Sequence, residues 1–335
     1  MPSLNQKAQR AKALKLLDRL PLATVLCLGD LMLDRYIYGQ AERLSPEAPV
    51  PVVRVQSRKI SLGGLGNVAN NLAVLGVTVK AVGLVGDDPF GQELKGLLTK
   101  ALNPEKPLII VDPTRPTTVK TRLVAGIQQL VRYDEESTEL LADPIAPKYE
   151  TEAIKLLTKV KAVALSDYGK GVLSPSLLSS ILAQAKERGL PTVVDPKGAD
   201  YEPYRGATLV TPNCQELSLA VGKSIAKSDS KGLAEAGRKL MERHGLENLL
   251  ITRSEEGMTL LEKNGHTQII PTRARAVYDV SGAGDTVMGV MAAALAVGAT
   301  LAEGAELAAL AAGVVVGKVG AAVARPEEIR DSLAC

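Results

Sequence analysis

Apolar and polar positions along this chain follow two rhythms. Short runs rich in β-branched and aliphatic residues occur at Thr24–Leu28, Thr78–Leu84, Lys161–Leu165, Thr192–Val194, Thr208–Val210 and Leu249–Thr252. Their continuity predicts strands buried on both faces. Between them, apolar residues recur three or four apart over Asn67–Leu75, Pro89–Lys100 and Pro175–Arg188, and again on the way to His244. That period predicts helices, and Gly76 and Gly189 supply stops. Two further strands are expected near 257–261 and 266–270, before a stretch at 287–321 rich in Ala and Gly. Glu303 and Glu306 interrupt that stretch, so it predicts two buried closing helices, not a membrane span. At the start, Leu14, Leu17 and Leu20 keep helical spacing among Lys7, Arg10, Lys12, Lys15 and Arg19, which predicts an amphipathic leader helix and no signal peptide.

Such alternation predicts an α/β fold, a mainly parallel central sheet with helices on both faces, formed by residues 1–335 as one domain. Two stretches break the rhythm, at about 36–60 and 115–134. The first holds Pro46, Pro49 and Pro51, and the second is rich in β-branched residues. They predict a small β-sheet lid inserted within the domain; edge strands of the main sheet are the alternative. Ligands of parallel sheets sit outside the carboxyl ends of the strands. Asp30, Asp167, Asp195 and Asn213 all fall at such ends and make a cleft there plausible.

Composition narrows the function classes. The formal net charge is only +3 and aromatics make up 3%, without Trp. Neither a nucleic-acid interface nor a base-stacking platform is expected. Cys27, Cys214 and Cys335 lack metal-ligand spacing, and His244 and His266 are the only histidines. Zinc sites and His-dependent triads are therefore not expected, and reduced thiols fit the cytoplasm.

The segment Asp279-Val-Ser-Gly-Ala-Gly-Asp285-Thr286 runs straight into an apolar helix. A helix N-terminus offers unpaired N–H groups and the positive end of the dipole. Gly282, Ala283 and Gly284 leave that backbone bare for a phosphoryl group. Asp285 adds a negative charge that a plain phosphate cradle does not need. It makes sense as a proton acceptor from a hydroxyl, beside amides that steady a phosphoryl in transfer. The plain alternative is a flexible turn with Asp285 as a helix-start residue.

Other segments leave choices open. Gly222-Lys223-Ser224 lacks the earlier glycine of a P-loop, since position 217 is Leu. Gly64-Leu-Gly66-Asn67-Val-Ala69 matches a dinucleotide fingerprint, with Asp87 and Asp88 near the offset of a ribose carboxylate. A Rossmann-type NAD oxidoreductase is thus the runner-up. The same segment also suits a sugar cradle, with Asp30 accepting from a diol. Asn213 and Glu216, three apart, form either a capping box or a pair that holds Mg²⁺ through water. Thr252-Arg253-Ser254-Glu-Glu-Gly257 ends a strand and either lines a nucleotide or forms a plain turn.

With Gly63-Gly64 early, Asn213-x-x-Glu216 in the middle and Asp279 to Asp285 late, the chain resembles the ribokinase-like (PfkB) family of carbohydrate kinases along nearly its whole length. Segments such as Gly29-Asp-Leu-Met-Leu-Asp-Arg-Tyr36, Leu165-Ser-Asp-Tyr-Gly-Lys-Gly171 and Asp195-Pro-Lys-Gly198 resemble its members that phosphorylate the anomeric O1 of a heptose 7-phosphate in lipopolysaccharide core synthesis. Many of these are fused to an adenylyltransferase; a chain ending at Cys335 is expected to be a stand-alone kinase. The alternative within the family is another sugar or phosphosugar.

The resemblance implies ATP and Mg²⁺ as cofactors with K⁺ as a further candidate, Asp285 as general base and the amides of Gly282, Ala283 and Gly284 as an anion hole. It implies that Asp30, Gly63, Gly64 and Asn67 hold the sugar, with Asp195 at the cleft, and that Asn213 and Glu216 serve phosphate and Mg²⁺. Thr252, Arg253, Ser254 and Gly257 would line ATP, and Asp279 would stand beside the monovalent cation. A phosphorylated acceptor needs cations, for which Arg35, Arg122, Arg132, Lys170 and Lys197 are the candidates. A homodimer formed through the lid is expected, with no nucleic acid or membrane partner.

Overall fold

Strand β1 (Thr24–Gly29) is buried from both sides, because Val25 and Cys27 face one apolar cluster while Leu26 and Leu28 face another. The computed structural model describes residues 4–274 and 276–334. Cys335 and the first three positions of the expected leader lie outside them. After β1 come β2 (Leu31–Leu44), β3 (Pro51–Gly64), β4 (Thr78–Gly86), β5 (Leu108–Asp112), β6 (Val119–Ala125) and β7 (Gln128–Glu135). The remaining strands are β8 (Ala162–Ser166), β9 (Thr192–Asp195), β10 (Leu209–Val210), β11 (Leu249–Thr252), β12 (Met258–Leu261) and β13 (Thr267–Ile270). The helices are α1 (Leu4–Arg19), α2 (Leu65–Val74), α3 (Pro89–Leu102), α4 (Ile145–Leu157), α5 (Pro175–Glu187), α6 (Cys214–Val221), α7 (Ser230–His244), α8 (Ala283–Ala296), α9 (Leu301–Val315) and α10 (Pro326–Ala334).

The large sheet runs β13-β12-β11-β10-β9-β8-β1-β4-β5. It is parallel from β5 to β11 and antiparallel at β12 and β13. One face is covered by α1, α2, α3, α8, α9 and α10, the other by α4 to α7. The expected leader is α1, which buries Ala13, Leu16 and Leu17. The Ala- and Gly-rich stretch forms α8 and α9, whose small side chains let the two helices pack closely. Among the described residues, no helix is long and apolar enough to cross a membrane.

Chain order reverses at β1, which has β4 on one side and β8 on the other. This is the switch point where loops leave in opposite directions and open a crevice. The small sheet, β3-β2-β6-β7, stands at that end. It begins at Leu31 and runs through Gly64, five and four residues beyond the limits read from sequence. The long strands β2 and β3 therefore grow directly out of β1 and into α2, with no connecting loop at either end.

Candidate active site

Helix α8 starts at Gly282, whose φ of 79° lies in the left-handed region that glycine adopts freely. A Cβ there would lie 2.5 Å from Asn67 Nδ2. The bare backbone lets Asn67 of α2 reach Asp285, and its Nδ2 donates to Asp285 Oδ2 at 2.7 Å. Asn67 is held in turn by Asn71, whose Nδ2 donates to the Asn67 carbonyl and Oδ1. Thr286 Oγ1 donates to the Asn71 Oδ1 at 3.2 Å and closes the chain of contacts. The Ala283 N–H bonds to the Val280 carbonyl, while Gly284 follows in the first turn, where N–H groups have no acceptor within the helix.

Tyr168 supplies the second contact, donating from its hydroxyl to Asp285 Oδ1 at 2.9 Å. Burial pushes the Asp285 carboxyl up to about 6, although both hydrogen bonds pull the other way; Asp34 nearby adds to the rise. A carboxylate near this value is ionised at neutral pH and remains a competent proton acceptor. Sequence reasoning quoted the segment around Tyr168 but gave that side chain no part. Its distance of 117 positions from Asp285 hides the pairing until β1 and β8 lie side by side.

Asp30 lies apart from this arrangement. Its carboxylate is buried and accepts from the backbone N–H groups of Tyr168, Lys170 and Val172. Burial still raises its pKa to about 6. Instead of facing a diol, Asp30 clamps the loop that carries Tyr168. The carboxylate that does face the cleft is Asp34, four residues on. Its Oδ1 accepts from Arg122 Nη1 at 2.5 Å, and a Cβ on Gly63 would press against its Oδ2.

Register decides which side chains of β2 face the cleft. Side chains alternate along β2, so Asp34 and Tyr36 share a face and Arg35 points the other way. Arg35 lies over the Phe90 ring of α3, 4.7 Å from its centroid, and is set apart from the cluster. Cross-strand partners extend the Asp34 face through Lys120, Arg122, Arg132 and Asp134. Arg132 spans Asp134 with two bonds of 3.0 Å, and Lys170 Nζ donates to Glu136 at 2.7 Å. Gly64 ends β3 against Tyr168.

On the far side of Asp285, Asp195 comes within 3.9 Å of the Cβ position of Gly284 and accepts from Thr211. Burial, then the charges of Glu216 and Asp285, hold its carboxyl well above the usual range. Glu216 and Asn213 form the capping box of α6, so the plain reading of their spacing holds. The free Glu216 Oε1 still faces Lys197 at 3.8 Å, which puts that lysine on this side and not with Arg122. Thr252 ends β11 beside Asn213. Arg253 is buried and turned away, donating to the Lys227 carbonyl and Thr259, so it is set apart from the cleft. Ser254 opens an exposed turn that closes at Gly257. Asp279 accepts from the Ser281 and Gly320 N–H groups, both at 2.9 Å; these bonds outweigh its partial burial and lower its pKa.

Residues 22–328 match the pfkB family of carbohydrate kinases. The chain belongs to this family. Among curated relatives, the Bifunctional protein HldE of Paramagnetospirillum magneticum is 47% identical over 93% of this chain and 63% of its own length. The chain thus spans about three fifths of that relative's length. Among solved structures, Arabidopsis thaliana ribokinase complexed with ribose and ATP aligns with a TM-score of 0.71 at 19% identity, covering 93% of this chain and 99% of that one. Escherichia coli phosphofructokinase-2 in complex with potassium aligns at 0.72 and 17%, covering 93% and 98%. The fold is ribokinase-like.

This carbohydrate kinase is not a dinucleotide oxidoreductase. The first glycines of the fingerprint, Gly64 and Gly66, straddle the end of β3, which pairs antiparallel in the small sheet, whereas a Rossmann crossover starts from a parallel strand. Asp88, the expected ribose carboxylate, caps α3 by accepting from Gly91. Kinases of this family use ATP with a divalent metal. Among the described residues, no group of three acidic, His or Cys side chains is placed to hold a metal by itself. Asp195, Glu216 and Asp285 nonetheless crowd three carboxyl groups around the single ammonium of Lys197, and their mutual repulsion helps to raise the Asp195 carboxyl. That excess suits a cation arriving with nucleotide phosphates and its own waters.

Proposed function

We propose that this kinase transfers the γ-phosphoryl group of ATP to the anomeric O1 of D-glycero-β-D-manno-heptose 7-phosphate, giving the 1,7-bisphosphate and ADP. One observation carries the reading: Asp285 is gripped by Asn67 and Tyr168 at the mouth of α8, ionised at neutral pH and next to Gly284, whose N–H has no acceptor within the helix. Asp285 takes the proton as the O1–Pγ bond forms and the bond from Pγ to the ADP oxygen breaks. The amides of Gly282 and Gly284, at the positive end of the α8 dipole, steady the charge on the moving group. Asp34, Gly63 and Gly64 receive the sugar beneath Arg122. Asp195, Asn213, Glu216, Thr252 and Gly257 flank the nucleotide. Mg²⁺, held through water by Glu216 and Asp195, would offset charge on the phosphates. Asp279 is the carboxylate nearest in kind to a K⁺ site.

The small sheet acts as a lid of a single domain, and its outer face pairs two copies of the chain. Val131 and Tyr133, one position either side of the inward-facing Arg132, lie on that outer face and stand 47% exposed each, which favours burial against a partner. The use of ATP and the free, buried thiols of Cys27 and Cys214 support a cytoplasmic reading.

The specific acceptor rests on the segments shared with the heptose branch of the family. Its test is an acceptor panel with ATP and Mg²⁺, read by ADP release and by NMR of the product. Heptose 7-phosphate is expected to exceed fructose 6-phosphate and unphosphorylated sugars by about 100-fold or more in kcat/KM, with the new phosphate on C1. Equal use of an unphosphorylated sugar would remove the specific acceptor and leave the carbohydrate kinase.

A further inference from the structure

The inner face of the small sheet and the Tyr168 loop bring four cations together. Three already have carboxylate partners: Arg122 with Asp34, Arg132 with Asp134 and Lys170 with Glu136. Among the described residues, Lys120 has no carboxylate at ion-pair distance. It is the directly paired neighbour of Asp34 on β2 and of Asp134 on β7, so it occupies the middle of the inner face. Its ammonium lies 5.0 Å from the centroid of the Tyr168 ring, the tyrosine whose hydroxyl grips Asp285. Half-burial, then Lys170 as a like charge, makes the ammonium less stable here than in water, although Asp34, Asp134 and Glu136 are near enough to pull the other way.

A half-buried cation kept against another cation fits an arriving anion. Two anions visit this cleft. The nucleotide belongs on the Asp195, Glu216 and Thr252 side of Asp285, and Lys120 lies across Asp285 on the acceptor side. We propose that Lys120 binds the phosphate that the acceptor already carries and thereby selects phosphosugars over free sugars. This rests on the phosphosugar reading above and names the residue that enforces it. Arg122 and Lys170 are less available, since each would have to leave its carboxylate first.

The experiment compares the native chain with Lys120→Met, which keeps the apolar stem, and Lys120→Arg, which keeps the charge. Each is assayed with heptose 7-phosphate and with the same heptose lacking the phosphate. For Lys120→Met, KM for the phosphosugar should rise about 10- to 100-fold, the range of a charge-assisted bond, with kcat changed less than about threefold. Use of the free heptose and the KM for ATP should stay as in the native chain, and Lys120→Arg should recover most of the loss. An unchanged phosphosugar KM, or equal losses on both acceptors, overturns the assignment of Lys120 while the phosphosugar reading stands. A native enzyme without preference between the two acceptors overturns that reading, and this inference with it, before any variant is made. Retention of the ATP KM and of the melting temperature shows that the variants are folded.

Discussion

The large and small sheets solve opposite problems. Strands β1, β8 and β9 are four to six residues long, buried on both faces, and meet acidic residues only at or just beyond their carboxyl ends. Strands β2 and β3 have 14 residues each, and the inner face they share with β6 and β7 is lined with paired charges. The first sheet holds a few groups rigidly at one edge. The second spreads adaptable polar groups over a surface. Under the function and the Lys120 assignment proposed above, the transfer chemistry rests on the core and the choice of acceptor on the added sheet. The comparison can be broken wherever a change in one sheet produces the effect assigned to the other.

The largest effect is expected at the edge of the core. Asp285→Asn should lower kcat by about 10³-fold or more while the KM for ATP holds within a few-fold. The carboxyl is raised above its unfolded value, so its ionised form costs stability near neutral pH. The neutral amide should therefore melt no lower than the native chain. Retention of a tenth of the native kcat would show that the proton leaves by another route.

A smaller effect, on stability, separates the two sheets. Gly29 ends β1 at a φ of 139°, and a Cβ there would lie 2.0 Å from the Ser166 carbonyl oxygen. Gly29→Ala should cost about 3 kcal/mol or more in chemical denaturation, because the β1–β8 pairing must open. Arg132→Gln, which removes a half-exposed ion pair in the small sheet, should change stability by less than about 1 kcal/mol. Equal costs would mean that the small sheet is as much a part of the core as β1 is.

The two sheets also differ in how far the sequence discloses them. Strands of the large sheet announce themselves by unbroken apolar runs, and the turn from Gly282 to Asp285 by small residues ahead of a helix. Both signals are local. The inner face of the small sheet depends on parity. Asp30 stands out in the sequence because it follows a strand and Arg35 because a phosphorylated acceptor needs cations, and neither ground depends on which face of β2 a residue occupies. Once β2 begins at Leu31, Asp34 turns inward and Arg35 outward. Lys120 and Tyr168 were missed for a related reason: a cation-to-ring contact across 48 positions and a hydroxyl-to-carboxylate bond across 117 leave no local pattern. Arg253 misled because a polar residue after a strand looks exposed, whereas here it folds back beneath the turn.

The most delicate prediction concerns the one side chain that joins the two regions. Tyr168 rises from the loop clamped by Asp30, donates to Asp285 and offers its ring to Lys120. Its hydroxyl bond favours the ionised carboxylate, so losing that bond must raise the Asp285 pKa from about 6. The acid limb of kcat/KM, where activity falls as the base takes up a proton, should move toward neutral pH in Tyr168→Phe. The loss should be about five- to tenfold near pH 6 and fade above pH 8, where the base is ionised in both proteins. The phenyl ring remains under Lys120, so the KM for the acceptor should hold. A uniform loss at every pH would make Tyr168 a packing residue. A rise in acceptor KM alone would make it part of the small sheet's recognition surface, and the boundary drawn between transfer and selection would have to move to the other side of this tyrosine.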